Sequence, residues 1–292
     1  MVKVKAHAKI NLFLEVAGRR PDGYHDLATV FARVSAHDTL SLKKTAAPGI
    51  RLKTAGRAIP GLKAPSDNIV YKAAAAFFAE FGLAPAVEIT LRKALPAGAG
   101  LGGGSSDAAA ALRGLCRLYG VDRSANMRRL MRIAAGLGSD VPFFLLDVPM
   151  AAGTGRGEKL KPINFKGRAP YAVLVYPGVP VYTGGVYGRL KPAPGPEVKA
   201  WLGVFRRLVR ALEKGAFDPG CVFNRLEDAV LPVEPAVRLA RARLAAAGAD
   251  SVLMSGSGAT VFALVRGLKR AKAVAAAAAR NRSYMIFLAK FC

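Results

Sequence analysis

The chain has 292 residues, of which 52% are hydrophobic, so it can bury one large or two ordinary domains. Its 44 Lys and Arg residues against 19 Asp and Glu residues give a formal net charge of +25, which predicts attraction to anions. The basic residues are scattered over helix faces without interleaved aromatic residues, so we predict no specific nucleic-acid partner.

The sequence lacks the features of exported, membrane-spanning and metal-bound proteins. Lys3, Lys5 and Lys9 interrupt the apolar residues near the N-terminus, so no signal peptide is predicted. No apolar stretch reaches membrane-spanning length, so no membrane partner is predicted. The 3 cysteines are widely spaced, which argues against a disulfide framework or a zinc site. We therefore predict a cytoplasmic enzyme.

The first predicted element is a strand near the N-terminus in which apolar and polar residues alternate. Because the side chains of a strand alternate between its two faces, Lys9 and Asn11 must project the same way. A turn is predicted at 19–25, and two further strands follow at 29–34 and 39–42.

The rest of the chain predicts a mixture of helices and strands. Helical spacing predicts helices over 66–81, 105–119, 126–135, 201–214, 236–247 and 269–280. Strand patterns occur at 87–91, 171–176, 252–254, 260–265 and 284–288. A glycine-rich connection at 153–157 marks a predicted boundary between domains 1–155 and 156–292. Antiparallel strands mixed with helices in two segments predict an α+β fold.

A glycine-rich loop over 95–107 runs directly into the predicted helix 105–119. Glycine lets the backbone turn its N–H groups inward, and Ser105 or Ser106 is predicted to cap the helix. Aligned N–H donors, the helix dipole and two hydroxyl groups together form a phosphate cradle. The loop therefore predicts a site for a nucleoside triphosphate.

The loop differs from three common kinds of glycine-rich segment. A Walker A loop is excluded, because the chain has no Gly-Lys-Ser/Thr ending. Gly98, Gly100 and Gly103 satisfy the dinucleotide-binding pattern, but no strand with a terminal acidic residue follows the helix. A flexible linker would not have the strand pattern at 87–91 on one side and a helix on the other.

Two charged residues are candidates for catalysis of phosphoryl transfer. Asp140 is a candidate base, and Pro142 is predicted to hold Val141 extended so that Asp140 lies in a turn. From the local sequence, a helix-capping role for Asp140 is equally open. Lys9 is either a catalytic cation or a solvated lysine on a strand.

These segments together resemble the GHMP kinases. Pro96 and the run from Gly100 to Ser106 resemble that family's phosphate loop, and its other signature segments resemble 8–12, 138–143 and 255–258. Details at 8–14 and 20–25 and the triple glycine resemble one branch of the family. That branch phosphorylates a cytidine diphosphate derivative of methylerythritol on the non-mevalonate route to isoprenoid (terpenoid) precursors. The resemblance covers about residues 6–265.

The resemblance implies a fold and a reaction. It implies a two-domain GHMP kinase fold, with an N-terminal domain like ribosomal S5 domain 2 and a ferredoxin-like C-terminal domain. The γ-phosphate of ATP would pass to a tertiary C2 hydroxyl of a small-molecule substrate. Mg²⁺ would be held mostly by phosphate oxygens and water. A monomer or a homodimer is expected.

The resemblance also implies roles for individual residues. Asp140 matches the catalytic base, and Lys9 matches the lysine that keeps this aspartate ionised and polarises the hydroxyl. The residues that match ATP-binding positions are Asn68, Lys93, Pro96, Gly98, Gly100, Leu101, Gly102, Gly103, Gly104, Ser105 and Ser106. The residues that match substrate-binding positions are Asn11, Tyr24, His25, Asp140, Thr183, Tyr187 and Gly256.

Two alternatives stay open at this point. The chain could be another GHMP kinase, acting on homoserine or a mevalonate-type alcohol, in which case Tyr24, His25 and Tyr187 would have no base to contact. It could also be a nucleotide- or RNA-binding protein that kept the fold and lost catalysis. The presence of both Lys9 and Asp140 argues against that second alternative.

Overall fold

The computed structural model describes all residues from Met1 to Cys292, and its elements confirm an α+β protein. The strands are β1 (Val2–Arg19), β2 (His25–Lys44), β3 (Gly49–Gly56), β4 (Ala86–Lys93), β5 (Met150–Gly155), β6 (Lys159–Pro162), β7 (Tyr171–Tyr176), β8 (Phe223–Asn224), β9 (Ser251–Met254), β10 (Val261–Val265) and β11 (Met285–Ala289). The helices are α1 (Ile69–Phe81), α2 (Gly103–Tyr119), α3 (Met127–Leu137), α4 (Val141–Leu146), α5 (Thr183–Arg189), α6 (Gly195–Glu213), α7 (Glu227–Val230), α8 (Pro235–Ala246) and α9 (Leu268–Ala279).

The chain divides into two compact units that interleave along the sequence. Unit 1 comprises Met1–Ala8, His37–Ala97 and Gly102–Asp147. Unit 2 comprises Lys9–Ala36, Gly98–Leu101 and Val148–Cys292. The long strands β1 and β2 each contribute one part to each unit. The domain division at residue 155 stays a prediction.

Unit 1 is built from strands and a layer of helices. The second half of β2 pairs antiparallel with β4, and β4 pairs parallel with β3. Helices α1, α2, α3 and α4 pack on one another in this unit. The glycine loop leads from the end of β4 to the start of α2, so strand and helix fix its two ends.

Unit 2 contains a four-stranded antiparallel sheet in the order β11-β7-β10-β9. Helices α8 and α9 pack on this sheet and on each other. The first half of β2 pairs with β5, and the segment of β1 near Phe13 pairs parallel with β8. These pairings place the start of unit 2, where Lys9 lies, on a buried strand.

The N-terminal strand confirms the predicted alternation only over its first residues. Burial alternates up to Ala8, after which every residue through Val16 is buried. The polar residues Lys9, Asn11 and Glu15 of β1 therefore lie inside the protein instead of on a solvated face. Buried polar groups need partners, so these three residues mark a place where chemistry or a polar network is concentrated.

Several boundaries differ from the prediction. The two strands predicted at 29–34 and 39–42 form one continuous strand, β2. The glycine-rich connection at 153–157 is partly strand, because β5 pairs with both β2 and β6. Helices α1, α2, α3, α8 and α9 confirm the predicted helices with small shifts at their ends, and α6 confirms the helix predicted at 201–214 but begins six residues earlier, at Gly195. No helix of the chain is both long enough and apolar enough to span a membrane.

Candidate active site

The carbonyl groups of the glycine loop are fixed by successive hydrogen bonds within unit 2. The four carbonyls run from Gly98 to Leu101, and each accepts one hydrogen bond. The donors, in order, are Val181 N at 3.1 Å, Thr260 N at 3.1 Å, Ser255 Oγ at 2.9 Å and Lys9 N at 3.0 Å. All four carbonyl oxygens of this part of the loop therefore have a hydrogen-bond donor within the protein.

The N–H groups of the same loop remain as donors. No hydrogen bond in the structure uses the N–H groups of residues 98–105. Gly98, Gly100 and Gly102 have φ values of +62°, +72° and +67°, in the left-handed region that favours glycine. Left-handed glycines alternating with other conformations turn successive N–H groups toward a common point, which suits an anion. The predicted phosphate cradle therefore has the backbone that it needs.

The prediction that Ser105 or Ser106 caps α2 is wrong. The helix begins two residues earlier, at Gly103, and Gly102 occupies the N-cap position without a side-chain capping bond. Glycine at these positions allows the helical turn to start early, and Ser106 N donates to Gly102 O at 2.9 Å. Ser106 Oγ is buried without a partner, and Ser105 is half-buried. Neither hydroxyl is used for capping.

Asp140 lies in a turn beside the first residues of α2, within unit 1. A Cβ atom placed on Gly138 would lie 3.9 Å from Ser105 Oγ, so Gly138 lies near the first turn of the helix that follows the phosphate loop. Asp140 occupies the N-cap position of α4 but makes no capping hydrogen bond, which argues against the helix-capping alternative. The extended conformation predicted for Val141 is wrong, because Val141 begins α4 and proline is tolerated in a first helical turn.

Lys9 and Asn11 form the start of a buried hydrogen-bond chain in unit 2. Lys9 Nζ donates to Asn11 Oδ1 at 2.8 Å, which confirms that the two side chains project the same way. Asn11 Nδ2 donates to Thr29 Oγ1 at 2.8 Å, and Thr29 Oγ1 donates to Phe13 O at 2.7 Å. Each member orients the next, so the Lys9 ammonium is held in one position.

The turn at 255–258 packs directly on this lysine. A Cβ atom on Gly256, whose φ is +54°, would lie 3.1 Å from Lys9 Nζ and 3.4 Å from Asn11 Oδ1. A side chain here would press on the ammonium group, and the positive φ also favours glycine. The turn is anchored by Asn224, whose Nδ2 donates to Met254 O at 2.7 Å and Gly256 O at 2.8 Å.

Asn224 is a residue that the sequence analysis missed. It is buried, and its Oδ1 accepts from Leu226 N at 3.0 Å, so all its polar atoms are satisfied. It lies 32 positions from Gly256 in the sequence. No local motif marks it, and only the folded chain shows that it holds the turn beside Lys9.

The predicted substrate residues His25, Tyr187 and Thr183 lie in unit 2, where each contacts another side chain. The rings of His25 and Tyr187 stack, with centroids 4.9 Å apart and planes 25° apart. Thr183 Oγ1 lies 2.9 Å from Ser257 Oγ, which ties α5 to the turn at 255–258. The ring of Tyr24 is exposed, with the Arg156 guanidinium 4.6 Å from its centroid.

Asn68, one of the two residues expected near the adenine, lies at the start of α1 in unit 1. Its Oδ1 caps that helix by accepting from Val70 N at 2.9 Å. Its Nδ2 is buried without a partner, and a buried unpaired donor is costly. This amide group is therefore available to a ligand.

Lys93, the other such residue, is buried and pairs with two carboxylates. Its Nζ donates to Asp38 and, at 2.7 Å, to Asp107 Oδ2. Burial lowers the pKa of Lys93, but the charges of Asp107 and Asp38 outweigh it, so the pKa is raised overall. Burial, with the nearby Asp38, raises the pKa of Asp107 to about 7 against the opposing charge of Lys93.

Comparison with known proteins identifies the family. The family model of the GHMP kinases N terminal domain matches residues 68–148, and that of the GHMP kinases C terminal domain matches residues 203–283. A 4-diphosphocytidyl-2-C-methyl-D-erythritol kinase of Pelotomaculum thermopropionicum is 42% identical over 278 residues, which cover 94% of this chain and 93% of that protein. The enzyme of the same name from Bacillus subtilis is 37% identical, covering 90% of this chain and 87% of that protein.

Solved structures give the same assignment. The crystal structure of a 4-(cytidine 5'-diphospho)-2C-methyl-D-erythritol kinase is 36% identical and matches with a TM-score of 0.78 over 99% of both chains. A homoserine kinase from Cytophaga hutchinsonii, 18% identical, matches with a TM-score of 0.74 over 99% of this chain and 94% of its own, and this likeness shows the fold alone. With both halves matched and relatives near 40% identity along most of its length, the chain belongs to the GHMP kinase family.

Proposed function

We propose that this kinase transfers the γ-phosphate of ATP to the 2-hydroxyl of 4-diphosphocytidyl-2-C-methyl-D-erythritol, giving the 2-phosphate and ADP. The observation that carries the choice of substrate is the stacked pair of His25 and Tyr187, in the same unit as Lys9 and Asn11. A cytosine ring gains stacking energy from an aromatic side chain, whereas homoserine and mevalonate have no ring to stack. The names of the relatives at 37–42% identity support the same substrate.

In the proposed reaction, Asp140 accepts the proton of the 2-hydroxyl as the oxygen attacks the γ-phosphorus. The bond between the γ-phosphorus and the bridging oxygen breaks, and ADP leaves with that oxygen. Lys9 is proposed to supply a fixed positive charge that polarises the hydroxyl. Phosphoryl transfer needs positioning and charge stabilisation more than covalent help from the protein, and both residues provide that.

The glycine loop is the proposed holder of the ATP phosphates, through the N–H groups of residues 98–105. Its donor set consists of backbone amides and serine hydroxyls, which suits phosphate oxygens and not a bare cation. Mg²⁺ therefore fits as an ion bound mainly by phosphate oxygens and water. When bound, it would supply positive charge against the negative charge of the phosphates. Asn68 and Lys93 are proposed to lie near the adenine, with Pro96 at the start of the loop.

The substrate side of the proposed site consists of Asn11, Tyr24, His25, Thr183, Tyr187 and Gly256, with Asp140 at the reacting hydroxyl. His25 is proposed to hydrogen-bond the cytosine edge, and Tyr24 and Tyr187 to pack against the ring. The proposed cellular setting is the cytoplasm, with a monomer or homodimer as the working form. No nucleic-acid partner is proposed.

Replacing Tyr187 by alanine tests the proposed substrate directly. Loss of a stacked aromatic ring costs ~1–3 kcal/mol per base, so we expect KM for the cytidine substrate to rise between about 5- and 150-fold. KM for ATP should not change, and the Tyr187→Phe variant, which keeps the ring, should stay near the original value. Steady-state kinetics with each substrate varied in turn provides the measurement. An unchanged KM for the cytidine substrate in Tyr187→Ala would show that the cytosine ring does not stack on Tyr187.

A further inference from the structure

We propose that Asp38, Lys93 and Asp107 form a loop clamp, a set of positioning residues that joins the two ends of the glycine loop and so prepares it for ATP. The proposal rests on the proposed function of the loop as a phosphate site. It gives Asp38 and Asp107 a role in nucleotide binding without contact to the nucleotide. All three residues belong to unit 1, and each is at least nine-tenths buried.

Asp38 holds the entry of the loop. It lies on β2 and is fully buried. Its Oδ1 accepts hydrogen bonds from Ala94 N at 2.5 Å and Leu95 N at 2.8 Å, the two residues that follow β4. Its Oδ2 accepts from Lys93 Nζ. One carboxylate therefore fixes the path of the chain as it leaves the strand and enters the loop.

Asp107 holds the exit of the loop. It lies in the N-terminal part of α2, and its Oδ2 accepts from Lys93 Nζ at 2.7 Å. The ammonium group of Lys93, at the entry of the loop, therefore binds Asp107 at the exit as well as Asp38, the carboxylate on β2 that holds the entry. Lys93 Nζ therefore links the entry of the loop to its exit. It also links the loop to Asp38, which is 55 positions away from Lys93 in the sequence.

The loop also rests on the clamp between these two ends. A Cβ atom placed on Gly103 would lie 3.4 Å from Lys93 Nζ and 3.6 Å from Asp38 Oδ2. The backbone at the start of α2 therefore packs against the charged groups themselves. Movement of the ammonium or of either carboxylate would shift the amides of Gly103 and its neighbours.

The energetics favour a positioning role over a role in stability alone. A buried set of charges costs desolvation energy that its own attraction barely repays, and apolar residues of similar size often stabilise a fold as well. Ionic hydrogen bonds, however, fix geometry through direction and distance. A loop whose ends are already fixed loses less conformational freedom when it binds a ligand, so the clamp improves affinity for the nucleotide.

The test is a direct titration of the full chain with Mg²⁺ and a non-hydrolysable ATP analogue at pH 8, beside steady-state kinetics. Asp38→Asn is the main variant, because it keeps the shape of the side chain and turns an amide toward Lys93 in place of an acceptor. We expect the dissociation constant for the analogue and KM for ATP to rise about tenfold. KM for the cytidine substrate should stay unchanged. Lys93 is not varied, because it is also proposed to lie near the adenine.

The matched control is Asp147→Asn, which breaks an ion pair with Arg113 on the same helix, α2, away from the loop. It should lower Tm and leave nucleotide affinity unchanged. If Asp38→Asn lowers Tm in the same way with unchanged affinity, the clamp is overturned. Should Asp38→Asn fail to fold, Asp107→Asn at pH 8 repeats the test at the exit. If the original chain binds no nucleotide, the proposed function itself fails, and the titration of that chain separates this outcome from the others.

Discussion

The Asp140→Asn variant is expected to bind ATP as the original chain does and to lose turnover by about 10²–10⁴-fold, the contribution of a positioned general base. Asparagine has nearly the same shape as aspartate and cannot accept the hydroxyl proton. The substitution changes one side-chain atom in the Gly138–Asp140 turn and no atom of the glycine loop. The phosphate loop should therefore be intact. The measurement is kcat by ADP release, with nucleotide affinity measured separately by titration.

The natural control for this variant is at the other end of the same short helix. Asp147 follows the last residue of α4 and has a φ of +61°, a conformation that asparagine tolerates well. Asp147→Asn removes a carboxylate that pairs with Arg113 and should leave kcat near the original value. Equal turnover in Asp140→Asn and the original chain would remove Asp140 as the base.

The Gly100→Ala variant is expected to lose most of its ATP binding and part of its stability. Gly100 has a φ of +72°, and an added Cβ would lie 2.0 Å from Ser255 O and 2.9 Å from Gly258 O. These are backbone atoms, so the loop itself must move. The left-handed conformation costs alanine roughly 1–2 kcal/mol before this clash is counted. The observables are KM for ATP, the dissociation constant for the nucleotide and Tm.

Gly203→Ala provides the comparison, because Gly203 lies within α6 and its added Cβ would meet no atom within 4 Å. Alanine is the better helix former by about 0.8–1.0 kcal/mol, so this variant should be as stable as the original chain or more so, with unchanged kinetics. A Gly100→Ala variant with the ATP affinity and Tm of the original chain would contradict the fixed position of the loop.

Much of the site could be predicted because its parts are local in the sequence. The alternation around Lys9 and Asn11 placed both side chains on one face, and their hydrogen bond at 2.8 Å confirms it. The glycine run before a helix predicted a loop with left-handed glycines, and Gly98, Gly100 and Gly102 confirm that conformation, whereas phosphate binding by the loop stays a prediction. In both cases, residues within a few positions of each other carry the information, and period or glycine content reveals it.

The parts that could not be predicted depend on distant contacts. Strand β5 consists mostly of Ala and Gly, which have little strand propensity, and it forms because β2 and β6 pair with it. The prediction of a serine cap is wrong because Gly102 and Gly103 allow α2 to begin earlier. Asn224 and Asp38 act on residues far away in sequence, so no local pattern identifies either of them.

The most direct test of the proposed function is Mg²⁺-dependent release of ADP from ATP with four alcohols compared side by side. These are 4-diphosphocytidyl-2-C-methyl-D-erythritol, homoserine, mevalonate and phosphomevalonate. We expect turnover with the cytidine substrate alone. The Asp140→Asn substitution should strongly reduce kcat, and Tyr187→Ala should raise KM for the cytidine substrate. Turnover with another alcohol and none with the cytidine substrate would contradict the proposed function. The fold and the proposed role of the phosphate loop would not be affected by that result.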